Sequence, residues 1–257
     1  MPDGRAYITS VMEETGQTHF GFEAVTEDEK TARVKAVFDS VARRYDVMND
    51  AMSGGLHRLW KDVFVAWARP RAGEAVLDLA GGTGDIAFRL RKAGADRVVV
   101  SDINADMLLV GRGRAQRKAI DGLVWLCADA ETLPLPDRSA DLVTCAFGVR
   151  NMTHPERALA EIRRVLRPGG RFLCLEFSRL AIPALDGLYD AYSMQVVPRL
   201  GQWIAGDGES YRYLVESIRR FPDQETFAGM LGDAGFARVD CRNLAGGIAA
   251  MHIGWRI

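Results

Sequence analysis

Apolar positions between Lys30 and Ala68 recur at helical spacing, Val34, Val37, Phe38 and Val41 in one stretch and Leu56, Leu59, Trp60 and Val63 in another, which predicts two helices. Between them, residues 45–55 begin in the same period and end on the breaker Ser53-Gly54-Gly55. Residues 1–27 show no period, and the expectation there is a loose arm. Beyond Arg69-Pro70 the pattern changes to short β-rich runs at 75–79, 97–101, 123–126, 140–147 and 171–177. Amphipathic stretches at 85–93, 105–119 and 155–166 lie among them, the last stopped by Arg167-Pro168-Gly169-Gly170. Alternating strand and helix predicts an α/β fold, a doubly wound sheet covered on both faces. Residues 181–220, with several Tyr and a Gly-Asp-Gly turn, break the rhythm and read as an inserted helical cap. A helix from 221 to 234 and closing strands at 237–242 and 249–256 complete a seven-stranded reading. The chain thus divides into an arm with N-terminal helices over 1–69 and a main domain over 70–257 that carries the cap at 181–220.

Charge and composition narrow the partners. Thirty-three Lys and Arg face 34 Asp and Glu, a formal charge of -1, so there is no basic excess for non-specific nucleic-acid binding. Cys127, Cys145, Cys174 and Cys241 match neither a zinc knuckle nor a disulfide framework and read as buried reduced thiols. No signal-type or spanning apolar run stands out, which predicts a cytoplasmic chain with peripheral membrane contact at most.

Chemistry concentrates at the strand ends. Asp78-Leu79-Ala80-Gly81-Gly82-Thr83-Gly84 puts a small-residue turn between the first strand and first helix, where the backbone approaches a ligand closely. Asp102 closes the second strand, the position from which a carboxylate accepts the hydroxyls of a ribose. Two nucleoside cofactors compete for such a loop. A nicotinamide or flavin dinucleotide brings a pyrophosphate and a third glycine, where this chain has Ala87. S-adenosylmethionine brings an ammonium, which Asp78 attracts while it would repel a pyrophosphate. Asp129-Ala130, after the third strand, is a candidate contact to the adenine edge.

In the order Asp78 to Gly84, Asp102, Asp129, Leu133-Pro134-Leu135-Pro136-Asp137, Phe147-Gly148-Val149-Arg150-Asn151 and Leu166 to Gly170, the chain resembles a class I S-adenosylmethionine methyltransferase. Val37-Phe38-Asp39-Ser40-Val41-Ala42-Arg43-Arg44-Tyr45-Asp46-Val47-Met48-Asn49-Asp50 and Gly208-Glu209-Ser210-Tyr211-Arg212-Tyr213-Leu214, running on to Phe221-Pro222-Asp223-Gln224-Glu225, narrow the resemblance to the ubiquinone/menaquinone biosynthesis C-methyltransferase family. It implies methylation of a ring carbon of a polyprenyl quinol, either a methoxy-benzoquinol precursor of ubiquinone or demethylmenaquinol. It implies contact with the inner membrane or a quinone-synthesis complex, and is compatible with a homodimer. Carried over by position, Thr83, Asp102, Asp129 and Ala130 contact the cofactor, joined by Asp78 and Gly82 from the loop itself, and Arg150 is the catalytic candidate. Members often carry Ser where this chain has Ala146, so that contact is lost.

A quinol hydroxyl titrates near ~10 like the phenol of tyrosine, so a cation beside it would favour the phenolate that makes the ring carbon nucleophilic. Arg150 sits where such a cation belongs; its plain structural alternative is an ion pair with Asp141. His57, His154 and His252 are the other conceivable bases, and no metal is expected, because no His or Cys pair has ligand spacing. Leu188, Tyr189, Tyr192, Met194, Val196, Val197, Leu200, Trp203 and Ile204 could line an isoprenoid tunnel or simply pack the cap. A nicotinamide-dependent oxidoreductase and a non-catalytic cofactor-binding scaffold remain the rival functions.

Overall fold

The computed structural model describes residues 16–41, 50, 53–179 and 208–257. Strands β1 (Gln17–Phe20) and β2 (Glu23–Thr26) form an antiparallel hairpin, where a loose arm was expected. The hairpin runs straight into α1 (Glu27–Val41) through a reciprocal cap: Glu29 N–H donates to Thr26 Oγ1 at 3.3 Å and Thr26 N–H to Glu29 Oε2 at 3.0 Å. This cap starts the helix three residues before the apolar period begins. Helix α2 (His57–Ala68) follows the Ser53-Gly54-Gly55 turn.

The main sheet contains β3 (Ala75–Leu79), β4 (Arg97–Asp102), β5 (Leu123–Cys127), β6 (Ala140–Ala146), β7 (Leu166–Phe177), β8 (Ala237–Leu244) and β9 (Ala249–Trp255). Their spatial order is β5-β4-β3-β6-β7-β9-β8, the first five parallel and β9 antiparallel to both neighbours. Helices α3 (Asp85–Lys92), α4 (Ala105–Arg117), α5 (Pro155–Val165), α6 (Gly208–Arg220) and α7 (Gln224–Asp233) complete the described elements. Alternate strand residues enter two cores. Val76, Val98, Val100, Leu173 and Leu175 pack with Trp60 and Phe64 of α2 and Leu90 of α3; Leu77, Leu79, Val143, Phe172 and Cys174 pack with Leu159 and Ile162 of α5 and Phe227 of α7. Burial on both faces explains why these strands are apolar runs without alternation.

Two boundaries shift. Helix α5 stops at Val165 and β7 already begins at Leu166, because Ala140 pairs with Leu166 and Leu142 with Arg171, leaving residues 167–170 as a bulge. Gly169 N–H and Gly170 O both bond Arg256, so the ladder partner of this bulge lies at the far end of the chain. Helix α7 begins at Gln224, with Asp223 as the N-cap accepting from Thr226 N–H at 2.8 Å. The thiols also depart from expectation: Cys145 and Cys174 are buried, Cys241 is partly so, and Cys127, at the end of edge strand β5, is exposed.

Candidate active site

Neighbouring strands β3 and β6 lead to helices on opposite faces of the sheet, and a ligand crevice opens at such a reversal. A cavity of about 1150 Å³, open to solvent, lies there against the C-terminal tips of β3, β4, β5 and β6. It is lined by Asp78, Gly82, Thr83, Asp102, Asp129 and Ala130, so six of the seven predicted site residues meet on one surface. Arg150 is not among the lining residues.

The floor of the cavity is the turn after β3. Gly81 has no room for a side chain, since a Cβ would stand 2.6 Å from Val100 and 2.9 Å from Asp78 Oδ2; Gly84, at φ +82, faces Trp125 in the same way. Ala80 at φ +51 and Phe147 at φ +59 end β3 and β6 in the left-handed region, and strain of this kind concentrates at functional sites. Thr83, buried, accepts from Arg114 Nη1 at 2.8 Å.

The two acids differ. Asp78 is 1% exposed, and its Oδ1 accepts from Thr144 Oγ1 at 2.9 Å, while Oδ2 has no hydrogen-bond partner among the described residues. Burial pushes its carboxyl up to about 7, opposed by the Thr144 bond. Asp102 accepts from Gly82 N–H at 2.8 Å through Oδ2 and from Asn104 N–H at 2.9 Å through Oδ1. Burial raises its pKa also, against those backbone donors. Each of its oxygens keeps acceptor capacity, since a carboxylate takes about four hydrogen bonds. Asp129 is exposed at the rim and accepts from Glu131 N–H at 2.9 Å.

Arg150 instead lies in the wall behind the cavity. Its side chain is 1% exposed, with Nη1 donating to Glu176 Oε2 at 2.9 Å and to Phe147 O at 2.6 Å. The anticipated partner Asp141 is taken by Arg167 at 2.7 Å. Arg150 therefore braces the Phe147–Asn151 turn with its charge balanced by Glu176. His57 bonds Asp50, His154 bonds Glu156 and lies in ion-pair range of Glu27, and His252 bonds Gln224 O; none lines the cavity among the described residues. Leu188 to Ile204, the expected tunnel, lie outside the described residues.

Several lining residues were not singled out by the sequence. Thr31, Val34, Lys35 and Phe38 of α1 cover one side, and Lys61 of α2, 4% exposed, pairs with Asp85 at 2.9 Å. A lysine in the buried stripe Trp60-Lys61-Phe64-Val65 was the available signal. Asn151 and Ala146, the latter already marked in the sequence by the Ser it replaces, complete the wall at β6.

A family model described as the ubiE/COQ5 methyltransferase family matches residues 25–256. Among curated proteins, the ubiquinone/menaquinone biosynthesis C-methyltransferase UbiE of Acidiphilium cryptum is 58% identical over 239 residues, covering 93% of this chain and 96% of its own. Its namesake in Paracoccus denitrificans is 56% identical over 247 residues, 95% of this chain and 99% of its own. In fold, the chain resembles a SAM-dependent methyltransferase of Thermotoga maritima, with a TM-score of 0.63 at 18% identity over 87% of this chain and all of that one. It also resembles the [4+2]-cyclase SpnF, with a TM-score of 0.64 at 16% identity over 87% and 95%. The cyclase shows that this fold alone does not dictate a reaction.

Proposed function

The chain belongs to the ubiE/COQ5 methyltransferase family, and from that membership and the geometry of the cavity we propose how its residues divide the work of C-methylation. The protein is an S-adenosylmethionine-dependent C-methyltransferase of quinone biosynthesis with the class I methyltransferase fold. The observation that carries the residue assignment is the pair of carboxylates flanking the Gly81–Gly84 turn, one of them with a buried oxygen that lacks a partner. A cation at one end and a diol at the other satisfy Asp78 and Asp102, whereas a pyrophosphate would be repelled by Asp78.

In this reading Asp78 holds the ammonium of S-adenosylmethionine and Asp102 the ribose hydroxyls. Gly82 and Thr83 line the turn beneath it, and Asp129 and Ala130 border the adenine. Bound there, the cofactor supplies an electrophilic methyl group. The acceptor is a polyprenyl quinol, a methoxy-benzoquinol or demethylmenaquinol, entering between the tip of β6 and α1. Residues 1–69 and the 181–220 cap serve as the acceptor-binding part and the rest of 70–257 as the cofactor-binding framework. Val34 and Phe38 give that entrance an apolar lining. Among the described residues no helix is long and apolar enough to cross a membrane, and peripheral contact with the inner membrane is proposed on the chemistry of the isoprenoid tail.

Arg150 receives a positioning role. Buried and paired with Glu176, it holds the Phe147 carbonyl and thereby the turn on which the acceptor ring would rest. Calorimetry with S-adenosylmethionine and NADH, on wild type and Asp102→Ala, tests the cofactor side. Expected are binding of the first cofactor alone and a loss of about 2 to 3 kcal/mol in the variant, the worth of charge-assisted bonds to a ribose. Binding of NADH, or an unchanged dissociation constant in folded Asp102→Ala, would contradict the assignment.

A further inference from the structure

We propose that Tyr213 is a positioning residue for methyl transfer: its hydroxyl locks the Asn151 amide so that an N–H, not the carbonyl oxygen, is presented to the acceptor ring. The inference rests on the quinol reading above and deepens it.

Asn151 ends the 3-10 turn Val149–Asn151 at the tip of β6 and forms part of the cavity wall. Its amide is constrained on two sides. The Phe147 carbonyl lies 3.4 Å away on one side and can only accept, so the amide atom turned toward it is Nδ2. Oδ1 then lies 3.2 Å from the Tyr213 hydroxyl, and an amide oxygen can only accept, so the tyrosine donates. Flipping the amide would set two carbonyl oxygens against each other at Phe147. Burial holds the Tyr213 phenol well above its ordinary value, which keeps the O–H in place across the working pH range. The ring itself is fixed by stacking on Phe20 of β1, centroids 4.0 Å apart and planes 11° from parallel.

With one amide hydrogen turned to Phe147, the second is available to an oxygen in the cavity. An N–H whose direction is set before the reaction needs no reorganisation as negative charge builds on a quinol oxygen. Arg150 is occupied by Glu176 and Lys61 by Asp85, so the amide is a neutral donor beside two cations that are already paired.

Tyr213→Phe removes only the hydroxyl and keeps the ring on Phe20. Methyl transfer to demethylmenaquinol and to the methoxy-benzoquinol, both with short tails, is measured for wild type, Tyr213→Phe, Asn151→Ala and the double variant, with S-adenosylmethionine affinity as the check on folding. Asn151→Asp, of the same shape, serves as a second background. In wild type the hydroxyl should raise kcat about tenfold, so Tyr213→Phe loses that factor with acceptor KM and cofactor affinity within about twofold. The rising limb of its kcat–pH profile moves to higher pH. In either Asn151 background the same change costs nothing further. An unchanged kcat in Tyr213→Phe, or an equal loss with and without Asn151, overturns the proposal. A wild type that methylates neither quinol overturns the quinol reading and this inference with it; an active wild type beside an unaffected Tyr213→Phe overturns this inference alone.

Discussion

Asp78 sets burial against charge, and the conflict has a measurable sign. With its carboxyl pushed up to about 7, the cofactor-free protein holds a proton there that the unfolded chain releases near the ordinary aspartate value of 3.8. Ionising Asp78 therefore subtracts stability as pH rises from about 4 to 7 and leaves the full deficit above. Asp78→Asn should raise the melting temperature of the cofactor-free protein at pH 8 while weakening S-adenosylmethionine. In wild type the ammonium demands the carboxylate, so affinity should gain up to about tenfold per pH unit between 5.5 and 7 and level off beyond. Calorimetry at pH 6 in buffers of different ionisation enthalpy should register a released proton; a pH-independent affinity would remove the ammonium from Asp78. Arg150 and Glu176 make a second test. Arg150→Ala strands a buried carboxylate and should lose about 3 to 5 kcal/mol of stability, measured by urea unfolding. Arg150→Met with Glu176→Leu should recover most of it. Turnover in that double variant within about tenfold of wild type would fit a bracing role, whereas inactivity in a well-folded protein would restore Arg150 as the reacting cation. Asp78 and Asp102 were legible because strand tips in this topology are binding positions whatever the rest of the chain does. The Glu176 partner was not, since Glu176 lies far from Arg150 in sequence and only the ladder of β6 on β7 brings the two together.

Elements were legible where the apolar run was unbroken. Residues 75–79 emerge as β3 at the bounds expected, because every side chain after Ala75 is buried. The hairpin of β1 and β2 escaped, being two four-residue strands joined at Gly21-Phe22, too short to show a period. Its worth comes from contacts outside itself, Phe20 on Tyr213 and Lys30 Nζ donating to Thr18 and to Met152 O. The start of β7 escaped for a similar reason, its bulge being held by Arg256. Arg171, just past that bulge, ties α2 to the sheet: it donates to Ala68 O and Arg69 O at the helix C-terminus and to both oxygens of Glu74. Its guanidinium thus answers carbonyls that the helix leaves open. Arg171→Ala should lose about 3 to 5 kcal/mol in urea unfolding, and Arg171→Lys should recover little, because an ammonium cannot span this fork. A loss under about 1 kcal/mol would show that packing of Trp60 and Phe64 alone seats α2.

At the scale of the molecule, a parallel sheet closed by an antiparallel hairpin places the acids at strand tips, and residues of α1 and α2 line the side of the cavity proposed for the acceptor. The framework was legible in the order of strands, helices and glycines, each a local signal. The wall proposed for the acceptor was not, since Lys61 with Asp85 and Tyr213 with Asn151 join residues remote in sequence. The reaction is transfer of a methyl group from S-adenosylmethionine to a ring carbon of a quinol. The direct measurement is carbon NMR of the product after incubation with S-adenosylmethionine labelled in its methyl group and each reduced quinone precursor. A new aryl-methyl resonance, lost in Asp102→Ala at low cofactor concentration, is the predicted result. A methoxy resonance, or label that stays on the cofactor with both quinols, would contradict it.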